Sequence, residues 1–368
     1  MYKSEKFHFL TTVVGDDKYT VPIYEAAARN KCVPLLKTMF SSYCRNDCKF
    51  CAFRAERRTR REDWQPEELA NVTIDAQKKG WIRGLFLSSS VHGDPDKVVE
   101  NELETVRILR SRGFSSYVHL RLMPGVSTEL IRQAAEISDR IGINIEFPRA
   151  EHYNDMKIFL DFKQDIIKRL RIVSREVEKA QKNGKCKAGL DSQMVVGASN
   201  ETDKDILKAS DWLYHKLKAR RVYYSSFHPI SNTPLEKQLP ENRWREYRLY
   251  QSSFLIQKYN FHSKNFVLDS NNKLPLNTDP KILIAKKLEL CVDVNGAEFD
   301  ELIKVPGIGI ETANKIIFER NSGTNFKNLD QLKKLGVIVK RALHFIKIPT
   351  GQKTLNQFSS NRANINLS

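Results

Sequence analysis

The sequence contains no long apolar run and little cysteine. No stretch of about 18 apolar residues occurs, so no segment is predicted to span a membrane. The first twenty residues lack the apolar core and cleavage site of a signal peptide, which indicates a cytoplasmic protein. The chain of 368 residues has 6 cysteines, and a reducing compartment disfavours disulfides between them. Cys32, Cys186 and Cys291 stand alone and are expected to be ordinary thiols.

Acidic residues are also under-represented relative to basic ones. The chain has 61 Lys and Arg against 44 Asp and Glu, a net charge of +17, and a pI of about 9.5. Such a surplus attracts polyanions and indicates a nucleic-acid partner. Proteins from hot or salty habitats also carry lysine-rich surfaces, so charge alone leaves both interpretations open.

From residue 35 to 228, strand-like segments alternate with helix-like segments. The first helix has Pro66 and two acids in its first turn and ends at Gly80, the second ends at Gly113, and the third is capped by Ser127. Serial βα units predict a parallel sheet with right-handed crossovers, and six of them predict a partial (β/α)6 TIM-like barrel. The predicted strands are residues 33–43, 82–90, 115–123, 140–147, 190–197 and 221–227.

Polar side chains recur on one face of two of these strands. Asn144 and Glu146 alternate with isoleucine in the fourth strand, and Asp191 shares a face with Gln193 in the fifth. Buried parallel strands are usually continuously apolar. The pattern therefore predicts a wet, ligand-holding barrel interior near the C-terminal strand ends. Exposed strand ends are the alternative.

The predicted domain organisation has five parts. An N-terminal extension precedes the barrel, and a helical connector joins the barrel to a small all-α module that is followed by a disordered tail. Their predicted bounds are 1–34, 35–240, 241–296, 297–348 and 349–368.

The small module contains the stretch "VPGIGIETANKI", which resembles the helix-hairpin-helix motif of DNA repair proteins. Two glycines allow a tight turn before a helix, whose N-terminal N–H groups favour a phosphate. A second, degenerate hairpin is predicted to turn at Gly336. Packing or protein contact is the alternative to nucleic-acid contact. The predicted nucleic-acid contacts are Pro306, Gly307, Ile308, Gly309, Lys315, Lys340 and Arg341.

Half of the cysteines lie in one short segment, with the spacing Cys44-x3-Cys48-x2-Cys51. A structural zinc site needs a fourth ligand, for which Cys32 and His92 are weak candidates. Three thiolates on a four-iron cubane instead leave one iron open, which suits catalysis at the mouth of an αβ barrel.

This loop, with Phe50 before the last cysteine, resembles the radical S-adenosylmethionine (radical SAM) superfamily. The resemblance implies a [4Fe–4S] cluster on the three cysteines, SAM bound at the open iron, an electron donor, and a 5′-deoxyadenosyl radical that abstracts hydrogen from substrate. "GLFLSSS", "HLRLMPG", "INIEFP", "QMVVGASNETDKDIL" and "RVYYSSFHPISNTPL" follow in order. They resemble a family of DNA-modification or DNA-repair radical SAM proteins whose reaction is unassigned, which implies a uracil-DNA-glycosylase-like partner.

The resemblance also implies SAM contacts. The superfamily commonly has Gly-Gly-Glu after the second strand, where this chain has Ser88, Ser89 and Ser90, so amino-group binding would use serine hydroxyls or backbone carbonyls. Glu146 matches a ribose-binding position, and Gly197 a loop packing on adenine. Arg121 is assigned to the SAM carboxylate, with an exposed strand-end charge as the alternative. Gln193, Asp191 and His228 point to the mouth by position alone.

A burst of arginine follows the cysteines: Arg54, Arg57, Arg58, Arg60 and Arg61. Arg57 and Arg58 are predicted to clamp phosphate beside the cluster, whereas a charge run is otherwise a solvated loop. The sequence thus favours a radical SAM enzyme acting on nucleic acid, DNA before RNA. A small-molecule or protein substrate with a docking hairpin is one alternative, and a non-enzymatic, metal-stabilised nucleic-acid-binding protein is another.

Overall fold

The computed structural model describes Lys6, Phe9, Leu10, residues 23–28 and residues 31–348. The chain forms two compact units. The first comprises residues up to Glu201 together with Trp212–Arg243, and the second comprises Thr202–Asp211 together with the chain from Trp244 onward. The predicted tail and most of the predicted N-terminal extension lie outside the described residues.

A seven-stranded sheet organises the first unit, with the strands in sequence order. The first two strands form an antiparallel pair, and each later strand runs parallel to its predecessor. Six parallel strands of a half-barrel are thus confirmed, whereas the antiparallel β1 was not predicted. The strands are β1 (Ile23–Ala28), β2 (Lys31–Met39), β3 (Gly84–Ser88), β4 (Tyr117–Arg121), β5 (Arg140–Gly142), β6 (Gly189–Val196) and β7 (Arg221–Ser226).

Helices connect the parallel strands. Asp94, Ser127 and Asp161 accept hydrogen bonds from backbone N–H groups at the N-termini of three of these helical segments, as N-caps do. The connections comprise α1 (Pro66–Lys78), α2 (Pro95–Ser111), α3 (Thr128–Ile137), α4 (Ala150–Asp155) and α5 (Arg169–Lys182), with π-helical turns at Phe162–Lys168 and Trp212–Lys216. Helix α4 was not predicted because six residues give too short a pattern for helical periodicity to emerge.

Charged side chains fill the inner face of the sheet at mid-height. Asp191 of β6 is fully buried and lies 3.0 Å from both His119 and Arg121 of β4. Gly142 of β5 makes room for it, because a Cβ there would lie 2.0 Å from an Asp191 carboxylate oxygen. Asp191, one of the residues on which the predicted ligand-holding interior was based, is therefore engaged in an ion pair within the protein. Asn144 and Glu146 follow Gly142 in the chain, Gln193 follows Asp191, and all three are half-buried.

The second unit is mainly helical. A hydrophobic core that includes Leu302, Val305, Ile308, Ile316 and Phe326 holds its hairpins together. No described helix is long and apolar enough to cross a membrane. The elements of the second unit are α6 (Asp203–Asp211), α7 (Arg243–Tyr259), α8 (Pro280–Lys287), α9 (Phe299–Leu302), α10 (Ile310–Asn321), α11 (Leu329–Lys334) and α12 (Val339–Ala342), with the short parallel pair β8 (Val292–Asp293) and β9 (Ile346–Lys347).

Candidate active site and hairpin module

The cysteines lie in a closed loop, residues 41–63, which we call the cysteine loop. It leaves the C-terminal end of β2 and returns to it, because Trp64 N–H donates to the Phe40 carbonyl at 2.8 Å and Ser42 N–H to the Glu62 carbonyl at 2.9 Å. Ser41 and Asp63 form an antiparallel bridge at its neck. The fold thus presents this loop at the strand end where parallel αβ barrels place their active sites.

Cys44, Cys48 and Cys51 are free thiols and half-buried. Burial raises the pKa of all three, that of Cys51 to about 11, and the neighbouring sulfurs raise the pKa of Cys48 further. Backbone N–H groups point at two of the sulfurs, for example from Phe53 to Cys51 Sγ at 3.4 Å. Backbone hydrogen bonds of this kind stabilise a thiolate and tune iron–sulfur sites.

The segment that follows β5 makes hydrogen bonds to the cysteine loop. The Asn46 side chain accepts a hydrogen bond from Phe159 N–H at 2.9 Å, and Lys49 N–H donates to the Met156 carbonyl at 3.1 Å. A buried ion pair between Asp47 and Arg54 lies inside the loop. These contacts fix the cysteine positions in the absence of regular secondary structure.

The alternative of a structural zinc site with Cys32 as the fourth ligand is wrong. Cys32 is exposed near the start of β2, whereas the cysteine loop follows the end of that strand. Met39 lies seven residue steps further along the strand, a distance of about 23 Å at the usual rise. His92 is nearer, because its ring packs against Tyr43 at 5.3 Å.

The serine segment after β3 pairs with the start of the cysteine loop. Ser90 N–H donates to the Ser41 carbonyl at 3.0 Å, and Phe40 N–H donates to the Ser88 carbonyl at 2.6 Å. The Ser89 hydroxyl accepts a hydrogen bond from Ser41 N–H at 3.2 Å. The predicted serines therefore lie beside the cysteine loop, with the Ser89 hydroxyl and the Ser88 carbonyl already engaged there.

Glu146 lies close to the cysteines. Its backbone has a left-handed φ of 48°, and it bridges to β6 through Gln193 and Val195 at 3.0 and 2.8 Å. Burial raises the pKa of its carboxyl, while a hydrogen bond from Asn144 opposes that shift. The Glu146 charge in turn raises the pKa of Cys48 and Cys51. The adjoining Phe147 ring meets Phe50 edge-on at 5.5 Å, which places Phe50 at the same end.

Asn144 has an unsatisfied acceptor next to this carboxylate. Its Nδ2 donates to Glu146 at 2.9 Å, but in the described part of the chain its buried Oδ1 accepts no hydrogen bond. A buried acceptor without a donor marks a position where a ligand group completes the network. The sequence placed Asn144 on the same face as Glu146 and gave no sign of this unfilled acceptor.

Arg121 is not an exposed strand-end charge. It is buried, and its two terminal nitrogens donate to the two Asp191 oxygens at 3.0 and 3.1 Å. Both partners are on neighbouring inner-face positions, although 70 residues separate them in the sequence. The guanidinium that was assigned to the SAM carboxylate is thus neutralised by a carboxylate of the protein.

Gly197 closes β6 with a left-handed φ of 89°, and a Cβ there would lie 2.5 Å from Glu241. Its N–H donates to Glu201 at 2.6 Å, and its carbonyl accepts from Gln238 at 2.7 Å. The close approach that requires glycine is therefore made by the chain itself. His228 is exposed after β7, and Gln193 is half-buried.

The arginine burst mostly turns inward. Arg61 donates to three carbonyls, those of Ser42, Arg54 and Arg57, at 2.8 to 3.2 Å. Arg57 donates to the carbonyls of Ala52 and Ser231 at 2.9 and 3.1 Å.

Arg60 pairs with Glu62 at 2.7 Å. Among the described residues, exposed Arg58 has no recorded partner within the chain. The structure thus uses most of the burst to hold the cysteine loop together.

The hairpin turn of the second unit is tightly packed. Gly307 has a φ of 91°, and a Cβ there would lie 2.5 Å from the Ile338 carbonyl of the second hairpin. Pro306 and Ile308 are buried, and Ile308 N–H donates to the Val305 carbonyl at 3.1 Å, so their contact with nucleic acid stays a prediction. The N–H groups of Gly307 and Gly309 have no acceptor among the described residues.

Basic residues of this module divide into two groups. Lys315 on α10 and Lys340 on α12 are exposed. Arg341 instead pairs with Asp279 at 2.8 Å, and buried Lys281 donates to the Ile308 carbonyl at 2.8 Å. Lys281 was not predicted, because its role depends on a carbonyl 27 residues away.

Family models match both parts of the chain. Residues 38–213 match the radical SAM superfamily. The chain contains a radical SAM domain. Residues 289–347 match the helix-hairpin-helix motif. The radical SAM domain makes the protein an enzyme of a superfamily that uses a [4Fe–4S] cluster and SAM and needs an electron donor.

Some solved structures resemble part of the chain at low sequence identity. Methylornithine synthase (PylB) is 14% identical with a TM-score of 0.48, and the match covers 74% of this chain and 68% of that one. The FeFe-hydrogenase maturase HydG from Carboxydothermus hydrogenoformans is 14% identical with a TM-score of 0.49, over 61% of this chain and 51% of that one. No curated protein matches the chain. These similarities carry no argument about the substrate.

The site fits the cofactors of the superfamily. Three free thiols in one supported loop offer three cluster ligands and leave one iron of a four-iron cluster without a cysteine. The unfilled acceptor of Asn144 lies beside Glu146 near those thiols. The three thiols suit a cluster, and the unfilled acceptor of Asn144 suits a polar group of SAM bound next to that cluster.

Proposed function

We propose that this radical SAM enzyme modifies or repairs a nucleic acid, and that DNA is the first target to test. The helix-hairpin-helix match is the observation that supports this target. Its glycine turn precedes a twelve-residue helix, α10, whose N-terminal N–H groups suit a phosphate. Exposed Lys315 and Lys340 add positive charge on the same module.

In this proposal Cys44, Cys48 and Cys51 hold the cluster. When bound, the cluster and SAM supply reductive cleavage of SAM and hydrogen abstraction from the substrate. The chain fixes the thiolates through the cysteine loop and its N–H···S contacts. Asn144 and Glu146 bind polar groups of SAM, and Phe50 packs at their side of the loop. Ser88 and Ser90 line the neighbouring edge.

The hairpin contributes affinity without sequence preference. Contacts to phosphate fix the position of a nucleic acid but do not read its bases. A polyanion held by the hairpin raises the local concentration of substrate at the enzyme. The large net charge of +17 supports the same conclusion.

A second candidate is an enzyme that uses the hairpin to dock a protein. Phe318 on α10 is 69% exposed and Ile338 in the second hairpin is 55% exposed, and such apolar side chains are common at protein interfaces. A uracil-DNA-glycosylase-like protein is the partner to test first. Loss of its co-purification in Phe318→Ser, with DNA affinity intact, would favour this candidate.

The test combines cofactor and target. The chain is reconstituted anaerobically with iron and sulfide, and SAM cleavage to 5′-deoxyadenosine is measured under reduction with and without DNA or RNA. We expect cleavage that rises with the correct nucleic acid and is absent in Cys48→Ala. Nucleoside mass spectrometry then identifies the product. Failure of every nucleic acid both to bind and to stimulate cleavage would refute the proposed target.

A further inference from the structure

Helix α7 exposes three aromatic side chains on one face, which we call the aromatic stripe. Trp244, Tyr247 and Phe254 are 56%, 51% and 49% exposed. Their spacing of three and seven residues places them on the same side of a helix. The opposite side packs inward through residues such as Leu249, Ser252 and Ile256. Adjacent exposed aromatic residues require an explanation, whereas single ones do not.

The start of the stripe is held rigidly. The rings of Trp244 and Tyr247 meet edge to face with centroids 5.4 Å apart. The Arg248 guanidinium lies 5.5 and 5.8 Å from the two ring centroids. Two of its nitrogens donate to the Leu276 carbonyl at 2.9 and 2.8 Å, and a third donates to Gln251 at 2.7 Å. The exposed rings therefore rest on a fixed, buried cation, which reduces the entropy cost of binding on them.

The other end of the stripe reaches the hairpin. The Phe254 ring lies 5.6 Å from that of Tyr259, the last residue of α7. The Tyr259 hydroxyl lies 3.7 Å from the Cβ position of Gly309 and takes part in a backbone hydrogen bond with Ile310. Lys281 lies over the Tyr259 ring at 4.5 Å while it holds the Ile308 carbonyl. Aromatic rings thus run from Trp244 to the glycine turn within one unit.

The positive charge of residues 244–348 favours a polyanion as the occupant of the aromatic stripe. Residues 244–348 carry 17 Lys or Arg against 11 Asp or Glu, a net charge of +6. Gln251 and Lys258 lie on the same helix side as the stripe. Exposed aromatic rings beside positive charge suit single-stranded nucleic acids, whose bases stack on rings while phosphates meet cations. A duplex hides its base faces and cannot use such rings.

We propose that the aromatic stripe is a stacking platform for the unpaired bases of a single-stranded nucleic acid whose phosphates contact the hairpin. This inference rests on the proposed function and narrows its substrate to single-stranded or locally opened nucleic acid. A base must leave the stack before chemistry on its ring atoms can occur, so unpaired bases beside the hairpin are consistent with a modifying enzyme.

The experiment compares two fluorescent ligands bound by the full chain, a twelve-nucleotide oligo-dT and a duplex of equal length. Anisotropy titrations give both affinities for Trp244→Ala, Tyr247→Ala, Phe254→Ala and the triple variant. Trp81→Ala is the matched control, because Trp81 is 40% exposed in the first unit. We expect each stripe variant to lose about 5-fold or more for oligo-dT, with little change for the duplex or in the control. Trp244→Phe keeps a ring and should keep most of the affinity.

Tryptophan fluorescence gives a second measurement. Oligo-dT should quench the emission of the wild-type chain and of Trp81→Phe, and the quenching should be much smaller in Trp244→Phe. Unchanged oligo-dT affinity in the triple variant, with a normal circular dichroism melt, would refute the stacking platform and favour protein docking on the stripe. If the wild-type chain binds neither ligand, the stacking platform is refuted, and the proposed function is then judged separately by SAM cleavage in the presence of DNA or RNA. If both ligands bind and Lys315→Ala weakens the binding of both, the proposed function stands. The oligo-dT affinity of the triple variant then decides the stacking platform.

Discussion

The two basic segments that were predicted to meet nucleic acid use their charges differently. In the cysteine loop, Arg54 pairs with Asp47, and Arg57 and Arg61 donate to backbone carbonyls. In the hairpin module, Lys315 and Lys340 are exposed on helices. A run of positive charge in a sequence therefore does not identify a basic surface.

The difference follows from the backbone around each segment. The cysteine loop has few regular hydrogen bonds, so its carbonyls need other donors. An arginine has five N–H donors in a fixed fork and can satisfy several carbonyls at once. Helix α10 satisfies its interior carbonyls with its own N–H groups, so Lys315 on it remains in solvent. Basic residues of this module that lie against irregular segments are also used inside the protein, because Lys281 donates to the Ile308 carbonyl and Arg320 to the Ala297 carbonyl.

Arg54→Ala tests the inward arginines with the largest expected effect. It leaves Asp47 buried without its main cation, and losing one partner of a buried pair costs about 3–5 kcal/mol. Thermal and urea unfolding of the first unit would measure this loss. The double variant Arg54→Leu/Asp47→Leu should recover much of the stability. Equal stability of Arg54→Ala and the wild type would mean that the arginine is not structural.

Arg61→Gln should have the next largest effect. It removes three hydrogen bonds to carbonyls of the cysteine loop, but Arg61 is only half-buried, so water can replace part of what is lost. A looser loop should hold less cluster. Iron and acid-labile sulfide per chain after reconstitution are the measurement, with Arg58→Gln as the control. Full cluster content in Arg61→Gln would contradict this role.

Lys281→Met tests the inward lysine of the hairpin module. Burial, assisted by Arg341 and opposed by Asp279, lowers the pKa of Lys281 to about 7, while the unfolded side chain titrates near 10.4. Between these values the unfolded state binds more protons, so this group makes stability rise with pH. The rise is at most about 1.4 kcal/mol per pH unit.

Urea unfolding at pH 7 and pH 9 measures this dependence. The wild type should gain more stability over that interval than Lys281→Met, whereas exposed Lys315→Met should behave as the wild type does. The same pH dependence in all three proteins would show that Lys281 titrates normally.

Lys315→Ala and Lys340→Ala should have smaller effects, on binding alone. Each phosphate contact that is lost should reduce the slope of log affinity against log salt by about 1, without regard to base sequence. Filter binding at four salt concentrations measures the slope. An unchanged slope in both variants would remove these lysines from the interface.

Arg58→Ala should have the smallest effect. Arg58 is exposed, and substitutions at such positions usually change stability by less than about 0.5 kcal/mol. Its binding slope decides what remains of the predicted clamp beside the cysteines. A slope reduced as in Lys315→Ala would mean that both basic segments reach nucleic acid, and the comparison between them would then be one of degree.

The fold and the cysteine site were largely predictable because their signals are local. Cys44, Cys48 and Cys51 are defined by spacing, and the strands and helices by periodicity and caps. The glycine turn at Gly307 and Gly309 is equally local. By contrast, the short α4 carries too few residues for such a signal, and half of β1 is alanine, which is not typical of a strand.

Contacts between residues far apart in the sequence could not be predicted from local spacing or periodicity. Arg121 and Asp191 are paired across 70 residues, which removed the expected SAM-carboxylate ligand. The close approach at Gly197 is made by Glu241 of the same chain, 44 positions later in the sequence. The exposure of the α7 aromatics was likewise invisible, because their spacing alone equally predicts a buried anchoring face.

The sequence by itself determined the order of βα units, the three-cysteine loop and the hairpin turn, because each depends on residues close together in the chain. Tertiary structure alone decided which charges are used up inside the protein, which acceptor beside Glu146 stays unfilled and which aromatic face meets solvent. Those outcomes depend on hydrogen-bond donors, acceptors and packing surfaces that become neighbours only when distant segments fold together.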